Sequence, residues 1–173
     1  TEYRSHSHEA GALSLALFIA SSALIGQKDK AGNDYAHHMI AVAQNNTRSE
    51  AKHIIGVLHD VVEDSAWTFK DLERAGFSER IIAGVRGMTK IRIGSYKEPY
   101  FAFIQRCSKN KDSLDIKIND LRHNLSLYRN NFLTEAKDLE RQRKYIVSLN
   151  YLIDIKRGKV APGSPLSDWM KQQ

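Results

Sequence analysis

Cysteine, proline and tryptophan are scarce in this chain: one, three and two among 173 residues. A lone Cys107 excludes an internal disulfide and fits a reducing compartment, so a cytoplasmic protein is expected. Long apolar runs are scarce too. The segment AGALSLALFIASSALIG (10–26) loosely imitates a secretory signal. It is shorter than the roughly 20 apolar residues that span a bilayer. Its Leu13, Leu17, Phe18, Leu24 and Ile25 form a broad helical face with Ser14, Ser21 and Ser22 elsewhere, so a buried first helix is expected, with no membrane contact. Alternating strand patterns, internal repeats and low-complexity tracts are missing as well.

What remains is ordinary globular material, 42% hydrophobic and 27% charged. At this length it suits one all-α domain over 1–173, without a second catalytic domain. Helices are expected at 37–44, 51–63, 69–75, 79–89, 100–110, 111–129 and 135–155. GQKDKAGNDY (26–35) and IRIGSYKEP (91–99) are loops between them. Thr68 and Ser78 are helix caps, and the tail from about 158 packs back through Leu166, Trp169 and Met170. The net charge of +6 suits a polyanionic ligand, nucleotide or nucleic acid alike.

The informative stretch is HIIGVLHDVVEDS (53–65). Its isoleucines and valines predict a buried helix, yet His59, Asp60, Glu63 and Asp64 sit in its second half. On a continuous helix His59 and Glu63 share a face, as do Asp60 and Asp64. The plain alternative is a solvated helix end. A buried carboxylate is costly unless it faces a cation, and a metal ion would reverse that cost. A second acidic position, Asp120 in DIKINDLRHNLSLY (115–128), shares an apolar helical face with Ile116, Asn124 and Leu127. A third candidate is His38, with its neighbour His37 pointing about 100° away. Ile40, Val42 and Ala43 beside them look buried. His6 and His8 are given no role. Two imidazoles and two carboxylates suit Mn²⁺, Fe²⁺, Ni²⁺ or Zn²⁺ better than Ca²⁺.

In their order, YAHH (35–38), HDVVED (59–64) and DLRHN (120–124) resemble the HD-domain phosphohydrolases. The local strings are similar to the hydrolase domain of RelA/SpoT-type alarmone enzymes and to stand-alone small alarmone hydrolases. The MTK…SYKEPYFAFI segment resembles short bacterial members, and the likeness spans about 10–155. It implies that His38, His59, Asp60 and Asp120 bind one divalent ion, usually Mn²⁺. Glu63 is then the principal proton acceptor and Asp64 its assistant. Lys28, Asn124 and Tyr145 match nucleotide-pocket residues, against the plain readings of solvated lysine, local hydrogen-bonder and core tyrosine. Lys90, Arg92 and Lys97 form either a basic rim over the phosphates or a solvated face. Gln27 departs from the family pattern, which has a basic residue there near the purine, so guanine preference is open.

The implied activity is removal of the 3′-diphosphate from (p)ppGpp-like nucleotides, giving GDP or GTP and pyrophosphate. The alternative is another nucleotide or phosphate ester, a ppApp-type or 5′-nucleotidase-like substrate. A nucleic-acid partner is not expected, because the basic residues are scattered and the acidic stripe repels phosphate without a metal.

Overall fold

A computed structural model describes residues 11–44, 49–126 and 136–173. His6, His8 and Leu127 lie outside them, as does the start expected at residue 135 for the last long helix. Helices dominate the described residues: α1 (Ala12–Ala23), α2 (Ala36–Gln44), α3 (Glu50–Leu58), α4 (Val61–Asp64), α5 (Phe69–Arg74) and α6 (Glu79–Met88). After a small hairpin come α7 (Tyr100–Cys107), α8 (Lys111–Leu125), α9 (Ala136–Lys156) and α10 (Leu166–Met170). The expected all-α class holds. No helix among the described residues is long and apolar enough to cross a membrane.

Two helices organise the core. α3 packs against α1, α2, α6 and α8, while α8 also touches α2, α6, α7 and α9. Ser49 caps α3 by accepting from the Lys52 amide, and Asn110 caps α8 by accepting from the amides of Asp112 and Ser113. Thr68 and Asp71 form a reciprocal capping box at α5. Ser78 stands at the start of α6, but its side chain makes no capping hydrogen bond.

Gly56 sets the spacing of α2 and α3. A Cβ built there would lie 2.8 Å from the Ala43 Cα, which is backbone and cannot swing aside. Gly56→Ala is therefore expected to cost about 1–3 kcal/mol, the usual range for overpacking. The check is a lower denaturant midpoint at unchanged slope; an unmoved midpoint would mean the two helices part freely.

Several expectations need correction. The first helix is buried only in part as expected: Leu24 just after it is buried and Leu13 packs on the core, but Phe18 is 71% and Ile25 82% exposed, and α1 docks through Ala16, Ile19 and Ala20. Ile40 is also exposed, unlike Val42 and Ala43. The 51–63 helix is interrupted at His59–Asp60, where a turn separates α3 from α4. The 91–99 loop contains a hairpin, β1 (Arg92–Ile93) paired antiparallel with β2 (Tyr96–Lys97). Gly94 at φ 55 opens its two-residue Gly-Ser turn, a known hairpin signal. In the tail, Leu166 and Trp169 are buried as expected, but Met170 is 48% exposed.

Candidate metal centre

Three separate parts of the fold meet at one point. α2 brings His38, the turn between α3 and α4 brings His59 and Asp60, and α8 brings Asp120. One ligand atom each from His38, His59 and Asp60 lie within 4.8 Å of one another. Asp120 reaches this group through His38, its Oδ1 lying 3.1 Å from His38 Nε2. His37 is exposed, as its 100° offset from His38 requires.

His59 gives the clearest test of what the site holds. Its Nδ1 lies 2.7 Å from the Gly56 carbonyl. A carbonyl only accepts, so Nδ1 carries the proton and Nε2 points into the centre. That Nε2 is buried without a hydrogen-bond partner of good geometry, with Asp60 Oδ2 3.1 Å away. With one ligand atom of His38 also within 4.8 Å, these groups lie close enough together to share one ion. The donor set is two imidazoles and carboxylate oxygens, which fits a borderline divalent ion.

The electrostatics agree. Burial works against a charged His59, but the Asp60 and Asp120 carboxylates outweigh it and lift the imidazole to about 9. Those carboxylates therefore demand positive charge at this spot. Burial wins at His38, which is pushed down and stays neutral. The Tyr35 hydroxyl donates to Asp60 Oδ2, and burial with the Asp60 charge pushes that phenol well up, so it remains a donor.

Glu63 and Asp64 border the centre on α4. The Glu63 carboxylate accepts from the Lys90 amide at 3.1 Å, from Lys90 Nζ at 3.3 Å and from Arg92 at 3.5 Å. Asp64 is exposed, yet partial desolvation together with the Asp60 and Glu63 charges raises its proton affinity. The Asp64 carbonyl accepts from Gln27 Nε2 at 3.0 Å, so Gln27 braces the acidic pair.

A cavity of 280 Å³ opens over the centre, lined by Glu63, Asp64, Lys117, Asp120, Asn124 and Tyr145 among others. Lys28 stands on its rim, and its backbone bridges to Asp34. Lys30, which the sequence reading passed over, makes the side-chain contacts instead. Its Nζ lies 3.2 Å from Asn124 Oδ1, 2.5 Å from the Tyr145 hydroxyl and 4.4 Å from the Tyr145 ring centroid. Lys90 also lines this cavity, and Arg92 lines a neighbouring cleft that shares Glu63.

No protein-family profile matches the chain. A GTP pyrophosphokinase of Streptomyces coelicolor is 29% identical over 126 residues, which is 69% of this chain and 15% of that relative's length. The solved structure of a metazoan ortholog of SpoT, one that hydrolyzes ppGpp and plays a role in starvation responses, superposes with a TM-score of 0.66. It is 25% identical and covers 93% of this chain and 94% of its own. The chain resembles the SpoT-type hydrolases in sequence and in fold.

Within this SpoT-like fold the sequence reading missed Lys117. Lys117 Nζ, three residues earlier on α8, lies 2.6 Å from Asp120 Oδ2. The i,i+3 spacing was visible in KIND. A lysine usually extends into water; here only 12% of its side chain is exposed and Nζ lies 5.1 Å from the Phe103 ring centroid. Lys117 and His38 together hold the Asp120 carboxyl well below its usual range, against burial.

Proposed function

We propose that this protein is a metal-dependent pyrophosphohydrolase that removes the 3′-diphosphate from (p)ppGpp-like nucleotides, releasing GDP or GTP and pyrophosphate. The observation that carries this reading is the buried His59 Nε2, aimed without a hydrogen-bond partner at the space it shares with His38 and Asp60. Its support is the SpoT ortholog that matches nearly the whole chain. The curated relative is a much longer protein, so its own named activity is not carried over.

His38, His59, Asp60 and Asp120 would hold the ion, with Mn²⁺ the proposed occupant. A bound divalent ion supplies Lewis acidity at the scissile phosphate and lowers the pKa of the attacking water. The remaining work falls to side chains. Glu63, oriented by Lys90 and Arg92, and Asp64, whose proton affinity is raised, take up the proton of that water. Lys30, Asn124 and Tyr145 form a linked polar wall for the nucleotide, with Lys28 at the entrance. A cytoplasmic enzyme with a nucleotide substrate, acting on neither nucleic acid nor membrane, completes the proposal.

The direct test incubates purified protein and Mn²⁺ with ppGpp, ppApp, GTP and 5′-monophosphates, and separates the products by anion exchange. Pyrophosphate from the 3′ position is the expected result. Orthophosphate from the monophosphates alone would overturn it in favour of a 5′-nucleotidase.

Base selection follows from Gln27. Its amide is engaged by the Asp64 backbone, so no cation stands there to stack on or bond to guanine. Specificity constants for ppGpp and ppApp are expected within about tenfold, or about 1.4 kcal/mol. Gln27→Arg should shift their ratio. An equal fall for both substrates would show that Gln27 only braces Asp64.

A further inference from the structure

His38 has a second contact, on the ring nitrogen that faces away from Asp120. Its Nδ1 lies 2.8 Å from Nδ1 of His123, with ring centroids 5.0 Å apart. At that distance one nitrogen donates and the other accepts. A neutral imidazole carries a single N–H, so each ring's tautomer dictates the other's.

Two arrangements satisfy the pair. In the first, His123 Nδ1–H donates to His38 Nδ1, and His38 keeps its proton on Nε2, where Asp120 Oδ1 at 3.1 Å accepts it. In the second, His38 Nδ1–H donates to the lone pair of His123 Nδ1. His38 Nε2 then offers a lone pair to the space it shares with His59 and Asp60. Only the second lets His38 hold an ion through Nε2.

We propose that His123 is a positioning residue that holds His38 in its ion-binding tautomer, and that the pair passes from the first arrangement to the second when a divalent ion is taken up. The proton count balances within the pair. His38 loses the proton on Nε2 and gains one on Nδ1; His123 loses the proton on Nδ1 and gains one on Nε2. Neither ring changes charge, so this half of the site releases no net proton on loading. His59 needs no such partner, because the Gly56 carbonyl already fixes its tautomer. His123 can act on His38 because it lies three residues after Asp120 on α8, which packs directly against α2. One helix thus supplies both a candidate ligand and the group that orients another. The inference rests on the reading of this centre as a divalent-ion site.

The test uses the whole chain with Zn²⁺, which is diamagnetic, and reads ring nitrogens by long-range ¹H–¹⁵N correlation. The His59 Nε2 resonance reports occupancy. Loading is expected to convert His38 Nδ1 to the protonated type and to leave His123 Nδ1 unprotonated. By calorimetry, His123→Ala should bind Zn²⁺ about 10–100-fold more weakly, the usual cost of losing such a partner. His123→Gln, whose carbonyl oxygen accepts from Nδ1–H, should recover most of that affinity. A loaded protein with His123 Nδ1 still protonated would overturn the proposal. So would a His123→Ala protein of unchanged affinity. A wild-type protein whose His59 signal ignores Zn²⁺ would instead remove the ion site itself, and hydrolysis of ppGpp is scored separately from both.

Discussion

Replacing Glu63 by Gln and Asp64 by Asn together should lower turnover by at least about 10²-fold while the protein still binds its ion. The amides keep the shape of both side chains but remove both proton acceptors, and 10² is the lower end for losing a general base. Neither residue is part of the tight group formed by His38, His59 and Asp60, so occupancy should stay near one equivalent. Stability should change little. The cations that Glu63 engages are partly in water, Lys90 a third exposed and Arg92 more than half, and such pairs contribute little. The single changes then divide the role. A larger loss for Asp64→Asn would mark the carboxylate of raised proton affinity as the acceptor, with Glu63 as its orienting neighbour. Loss of the ion in the double variant would show that these acids are ligands.

Asp120→Ala should be costly in two separate ways. Asp120 lies beside His38, so ion binding and activity are expected to fall together. Thermal stability should also stop responding to added Mn²⁺, because an ion bound only to the native state stabilises by mass action. The second cost is independent of any ion. Lys117 is largely buried, its side chain 12% exposed with the ammonium against Asp120, and Asn124 Nδ2 donates to the same carboxylate at 2.6 Å. Removing the anion leaves a buried cation uncompensated, expected to cost about 3–5 kcal/mol without any metal. Asp120→Ala combined with Lys117→Met separates the two, since the cation leaves with the anion and only the loss of ion binding remains. An Asp120→Ala protein that binds one equivalent of Mn²⁺ and turns over normally would remove the residue from the site.

The sequence by itself determined the helical class and most of the ligand candidates. Both rest on rules that act within about four residues: apolar periodicity, caps, and carboxylates set in a valine frame. Lys117 and the Gly94–Ser95 turn fell under the same rules and were readable, though passed over. Tertiary structure alone decided which candidates meet. His38 and His123 are 85 residues apart in sequence and Lys30 and Tyr145 are 115, so no local period encodes either contact. It also decided that Lys30, not Lys28, reaches Asn124 and Tyr145, that Gln27 braces Asp64, and that Gly56 and Ala43 bring the two histidine-bearing helices together. Helix faces are chosen by how closely backbones can approach. Packing against α3 likewise decided that α1 turns Ala16, Ile19 and Ala20 inward and leaves Phe18 in water.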